Sequence, residues 1–145
     1  MNQNNEERIL AIDYGEKRIG LAITDPLNIF AYPLITLENN KSIFGELKKI
    51  IEQYNVKKII IGNPLKENGK QSQIFPNIIK LKEEIEKIFN LPVELVDERY
   101  SSLIAKQRII ESVPSKKKRR DKGLLDKNSA AVILEDYLRE ISNKK

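Results

Sequence analysis

The stretch Arg8-Ile9-Leu10-Ala11-Ile12-Asp13-Tyr14-Gly15-Glu16-Lys17-Arg18-Ile19-Gly20-Leu21-Ala22-Ile23-Thr24 decides the architecture. It opens with an apolar run closed by an acid, Asp13. A continuous run of this length suits a central strand covered on both faces. Tyr14 to Lys17 carries a glycine and reads as a turn. Arg18 to Thr24 is a second apolar run, so the chain opens with a β-hairpin. Asp25-Pro26 breaks the second strand. Residues 30–37 make a third, and Pro33 places it at an edge or a bulge.

Beyond the hairpins the period changes. Ile43, Leu47, Ile50, Ile51 and Tyr54 share one helical face. Val56 to Ile61 is a β-branched strand stopped by Gly62-Asn63-Pro64. Residues 65–73 are polar and read as a loop. Ile74, Ile78, Leu81, Ile85 and Ile88 mark a long amphipathic helix, ended by Asn90-Leu91-Pro92. Val93 to Val96 is the fifth strand, running out into Asp97-Glu98. Ser101 caps a helix over roughly residues 101–111. After a basic loop from Pro114, the last helix follows Asp126, with Ala130, Ile133, Leu134, Tyr137, Leu138 and Ile141 on one face. The order β-β-β-α-β-α-β-α-α predicts an α/β fold, a five-stranded mixed sheet with helices packed on its faces. The 145 residues suffice for one domain. No repeat or linker divides residues 1–145.

Forty per cent of the residues are hydrophobic, enough for a packed core. No apolar run approaches a membrane span. The polar, acidic start, Met1 to Arg8, lacks the order of a signal peptide. The expectation is a cytoplasmic protein with no membrane partner, either monomer or homodimer. The chain has neither Cys nor His. That excludes disulfides, thiolate nucleophiles, zinc–sulfur sites and any triad built on histidine. A bound metal must be held by oxygen, which favours Mg²⁺ or Mn²⁺. The net charge of +5 sits in one place. Residues 115–122 hold Lys116, Lys117, Lys118, Arg119, Arg120 and Lys122 against one acid. Elsewhere 20 basic and 20 acidic residues cancel. Such a cluster is an electrostatic footprint for phosphates.

The acids add a second theme. Asp13 closes the first strand and Asp97-Glu98 the fifth. If those strands are parallel, both ends lie at one edge of the sheet, where open α/β sheets gather ligands. Gly62-Asn63 lies there too, and Asp126 follows the basic loop. Clustered carboxylates can hold two divalent ions about 3.5–4 Å apart, which activate water and stabilise a leaving oxygen in phosphodiester cleavage. Each signal also has a plain structural reading. Asp13 suits a turn, Asp126 suits an N-cap, Asp97-Glu98-Arg99 suits a solvated strand end, and the basic run suits a solvated loop. Their convergence on one edge favours chemistry. Strand alternation turns Asp97 and Glu98 to opposite faces, and by itself does not choose between them.

Asp13 to Ala22 resembles the opening motif of the YqgF/RuvX family. Ile61-Gly62-Asn63-Pro64-Leu65 is similar to that family's Gly-x-Pro turn. Asp97-Glu98-Arg99-Tyr100-Ser101-Ser102 resembles its Asp-Glu-Arg motif. Lys122-Gly123-Leu124-Leu125-Asp126 and Ser129 to Leu138 resemble its C-terminal block. The match spans almost the whole chain in order. Asn63 departs from it, standing where an apolar residue is commoner. The resemblance implies a ribonuclease-H-like fold related to Holliday-junction resolvases. It also implies a nuclease maturing the 5′ end of pre-16S rRNA, with Asp13, Glu98 and Asp126 as catalytic and metal-holding acids. It favours Glu98 over Asp97. Arg99 then contacts phosphate or pairs with Asp97, and the basic run, by its charge, contacts the phosphates of nucleic acid. The rival readings are a branched-DNA resolvase, a non-catalytic nucleic-acid-binding module, and an actin-type nucleotide-binding lobe.

Overall fold

The computed structural model describes residues 7–65, 70, 72–98, 101–112 and 122–143. Positions 98, 101–104, 106, 112, 122 and 143 are described by backbone alone. The elements are β1 (Arg8–Asp13), β2 (Arg18–Thr24), β3 (Ala31–Glu38), α1 (Ile43–Tyr54), β4 (Val56–Pro64), α2 (Phe75–Phe89), β5 (Val93–Glu98), α3 (Ser101–Ser112) and α4 (Lys122–Asn143). The strands form one sheet in the order β3-β2-β1-β4-β5. β2 pairs antiparallel with β1 and with β3. β1, β4 and β5 run parallel. The expected mixed sheet is present, and the carboxyl ends of its three parallel strands share one edge.

Each face of the sheet has its own cover. Leu10, Ile12, Ile19, Leu21, Ile59 and Ile61 point to the face packed by α1 and α2. Ala11, Ala22 and Ile60 point to the face packed by α4. β1 is therefore apolar on both sides, as a central strand covered on both faces must be. The two faces differ in depth. Alanines on the α4 side let a long helix approach the backbone, whereas branched side chains hold α1 and α2 further out. Among the described residues no helix is long and apolar enough to cross a membrane.

Local signals close the first two helices. Asn55 and Asn90 adopt left-handed φ and return their backbone N–H to Ile51 and Glu86, closing α1 and α2. Pro76 stands in the first turn of α2, where its missing N–H costs nothing. β3 is an edge strand, and its register with β2 shifts between Leu21 and Ala22, beside Pro33. Both readings of that proline hold.

Three boundaries differ from expectation. β4 continues through Gly62 and Asn63 to Pro64, because β5 pairs beside it that far. β5 likewise stays regular to Glu98. The last helix starts at Lys122, so Asp126 lies one turn inside it and cannot be its N-cap. Leu124 and Leu125 favour helix, and the Thr36 hydroxyl on β3 donates to the Gly123 carbonyl in that first turn. The expected Ser101 cap concerns a side chain outside those described. The expected loop 65–73 falls partly outside the described residues.

Candidate nuclease site

Asp13 stands at the end of β1, half-buried, directly opposite Gly20 of β2. Strand alternation gives it the face of Ala11, the α4 face. Gly20, its cross-strand partner, points to that same face. A Cβ on Gly20 would collide with the backbone carbonyl of Asp126. The backbone of α4 therefore lies against the sheet beside Asp13, and brings Asp126 there from 113 positions later in the chain. On the other side of β1, the pairing of Ile12 with Ile61 brings Gly62 level with Asp13. Glycines flank the acid on both neighbouring strands.

Asp126 is itself held. Arg18, the first residue of β2, donates from Nε to Asp126 Oδ2 at 2.9 Å. The preceding turn is pinned from the end of β3. Asn39 donates from Nδ2 to the Gly15 carbonyl at 2.9 Å and from its backbone N–H to the Lys17 carbonyl. Gly15 itself has no room for a side chain against the Arg18 carbonyl.

The packing of β5 assigns its two parities to the two faces of the sheet. Val93 and Leu95 pack on the α1/α2 side. Val96 packs toward α4. Glu94 meets α4 as well, accepting from Tyr137 and pairing with Lys58 at 2.8 Å. Position 98 has the parity of Glu94 and Val96, so it belongs to the face of Asp13. Asp97 belongs to the opposite face, where Asn63 Nδ2 donates to its Oδ1 at 3.3 Å. Asn63 is buried and in register with Asp97.

The structure thus brings Asp13, Asp126 and position 98 to one face at one edge. Among the described side chains no three potential metal ligands form a cluster; position 98 enters through its backbone. The donor chemistry nonetheless fits a hard divalent cation, since the site offers carboxylate oxygen and the chain has no His or Cys. Arg99, Lys116, Lys117, Lys118, Arg119 and Arg120 lie outside the described residues, and Lys122 is described only as the first backbone position of α4. Two contributors were missed in the sequence, Gly20 and Arg18. A glycine inside a strand is the available signal for the first, since it marks close backbone approach. Nothing local to Arg18 foretells its partner.

The sequence matches the family described as "RuvX: Holliday junction resolvase" over residues 7–140. The chain belongs to the RuvX family. A relative from Phocaeicola vulgatus is 41% identical over 132 residues, covering 90% of this chain and 94% of its own. One from Chlorobium phaeobacteroides is 43% identical over 138 residues, covering 94% and 95%. Both carry the name "Putative pre-16S rRNA nuclease". Among solved structures, T. thermophilus RuvC in complex with a Holliday junction substrate superposes with a TM-score of 0.58 at 11% identity, covering 94% of this chain and 96% of that one. Fowlpox virus resolvase with its Holliday junction gives 0.55 at 16% identity, covering 92% and 98%. At those identities the likeness establishes the fold, which is ribonuclease-H-like. Membership in the RuvX family agrees with the resemblance carried by Asp13 to Ala22.

Proposed function

We propose that this chain is a divalent-metal-dependent endonuclease that processes the 5′ end of pre-16S rRNA in the cytoplasm, residues 1–145 acting as one nuclease domain. The observation that carries this reading is the contact of the Asp126 backbone with Gly20, the strand partner of Asp13. It draws two acids from opposite ends of the sequence toward the edge where the carboxyl ends of β1, β4 and β5 lie, the edge where open α/β sheets gather ligands. The names of the RuvX relatives supply the substrate.

Asp13, Glu98 and Asp126 hold Mg²⁺ or Mn²⁺ in this reading. Bound ions of this kind activate the attacking water and stabilise the leaving oxygen. The residues of the chain do the rest. Arg18 holds Asp126 in one orientation. The small residues on the α4 face keep the helix close enough to present that acid. Lys116, Lys117, Lys118, Arg119, Arg120, Lys122 and Arg99 contact backbone phosphates, which position the strand without reading its sequence.

The test is cleavage of pre-16S rRNA by wild type and Asp13→Asn, each with and without Mn²⁺. Wild type cuts only with metal, and Asp13→Asn binds RNA but does not cut. Equal cutting by Asp13→Asn would overturn the assignment. RNA binding that ignores metal and never leads to cleavage would instead mark a non-catalytic module. A second reading, resolution of branched DNA, is favoured by the fold shared with RuvC and the fowlpox resolvase. Cleavage of a four-way junction and of pre-16S rRNA at one salt concentration separates the two substrates.

A further inference from the structure

Arg18 opens β2 beside the acids, and its Nε is committed to Asp126 Oδ2. Guanidinium has five N–H donors in a planar fork, and this pairing uses one of them. Among the described residues the terminal nitrogens of Arg18 have no hydrogen-bond partner. The side chain is 35% exposed. With Gly15, Glu16, Lys17, Ile74 and Asp126 it lines a shallow, open groove of about 480 Å³, within the usual volume range of ligand pockets. The pair is a poor staple in its own right, since ion pairs this exposed contribute little to stability. Its geometry does something else. An arginine fixed through Nε has its terminal fork already oriented, so less freedom is lost when that fork takes a second anion.

We propose that Arg18 is a substrate-phosphate-binding residue, its terminal N–H groups taking the oxygens of a backbone phosphate beside the acids while Nε keeps hold of Asp126. The inference rests on the nuclease reading and names a contact within that site. It answers an electrostatic problem there. Carboxylates such as Asp13 and Asp126 repel an anionic strand, and a guanidinium bonded to one of them offers the opposite charge beside them. Bidentate arginine–phosphate pairing also sets direction, which a lysine point charge does not.

The experiment measures binding of a pre-16S rRNA 5′-leader fragment in chelator, so that cleavage plays no part. Wild type, Arg18→Met and Arg18→Lys are compared over a salt series. The fragment is then used with single phosphates replaced, one at a time, by uncharged methylphosphonate. Arg18→Met should bind about tenfold more weakly, and its salt slope should fall by about one. One replacement should weaken wild type and leave Arg18→Met unaffected. Arg18→Lys should recover the salt slope but only part of the affinity. If every replacement that weakens wild type weakens Arg18→Met equally, Arg18 only braces Asp126 and the proposal fails. If Arg18→Met does not fold, the same comparison is made with Arg18→Lys, whose response at that one phosphate should be smaller than that of wild type; an equal response overturns the proposal. Wild type that binds without cutting in Mn²⁺ defeats the nuclease reading while the phosphate comparison still decides Arg18. Wild type that does not bind the fragment defeats both.

Discussion

Asp97 and Glu98 are chemical near-equals at positions the pleat assigns to opposite faces of the sheet. Asp97 sits across from buried Asn63 and takes its amide hydrogen bond. Position 98, by the backbone parity of β5, falls on the same face of the sheet as Glu94, Val96 and Asp13. Glu98→Gln should therefore lower single-turnover cleavage of pre-16S rRNA in saturating Mn²⁺ by a hundredfold or more, on the order of losing one preorganised electrostatic group. Asp97→Asn should stay within about tenfold of wild type, the scale of a supporting contact. The reverse ranking would place the wrong acid in the site. Asn63 departs from the family pattern at this spot, and its amide bond to Asp97 gives the departure a partner on the face away from the acids.

At the scale of elements, the β2–β3 connection is held by one carboxylate. Asp25 Oδ1 accepts from the backbone N–H of Ile29 at 2.7 Å and of Phe30 at 2.6 Å, and Oδ2 from Leu27 at 3.1 Å. Asn28 takes the left-handed conformation in the same turn and ties it to the Glu7 carbonyl and to buried Thr24. Burial is the largest single influence on the Asp25 carboxyl and pushes it upward, but the backbone N–H groups of Phe30, Ile29, Leu27 and Asp25 itself together outweigh it and hold the group below its ordinary value of 3.8. A carboxylate with a depressed folded-state value stabilises above its unfolded value, and that contribution disappears as pH falls through the folded one. The stability gap between wild type and Asp25→Asn should thus be constant above about pH 5 and close below about pH 4. Thermal unfolding of both proteins across that range measures it; a gap that widens on acidification would contradict the assignment. Asp25-Pro26 was legible as a strand breaker. The three N–H bonds were not, because they depend on how residues 27–30 fold back.

At the scale of the whole molecule, the site depends on how closely α4 lies on the sheet. Gly20 permits that approach, and Ala11, Ala22, Ala130 and Ala131 line the same interface. Gly20→Ala should destabilise the protein by about 1–3 kcal/mol through overpacking. It should also reduce cleavage more than stability alone explains, since the displaced backbone is that of Asp126. Gly45→Ala is the matched control. A Cβ there meets nothing, and in α1 the change should stabilise by about 0.5–1 kcal/mol. Unfolding midpoints and cleavage rates of the two variants, side by side, give the answer. Unchanged activity in a folded Gly20→Ala protein would show that α4 need not sit so close.

The order of elements, the central position of β1, the edge position of β3 and the oxygen-only chemistry all followed from the sequence alone. Those properties depend on local period, on composition and on the absence of His and Cys, which neighbours in space do not alter. The tertiary structure decided the rest. It extended β4 and β5, because a strand continues as long as its neighbour pairs. It moved Asp126 from a helix cap to a position inside α4 and against Gly20. It gave Asp126 to Arg18, 108 positions away. It assigned the two parities of β5 to faces, because alternation says only that neighbours differ, and the packing of Glu94 and Val96 against α4 says which backbone positions share the face of Asp13.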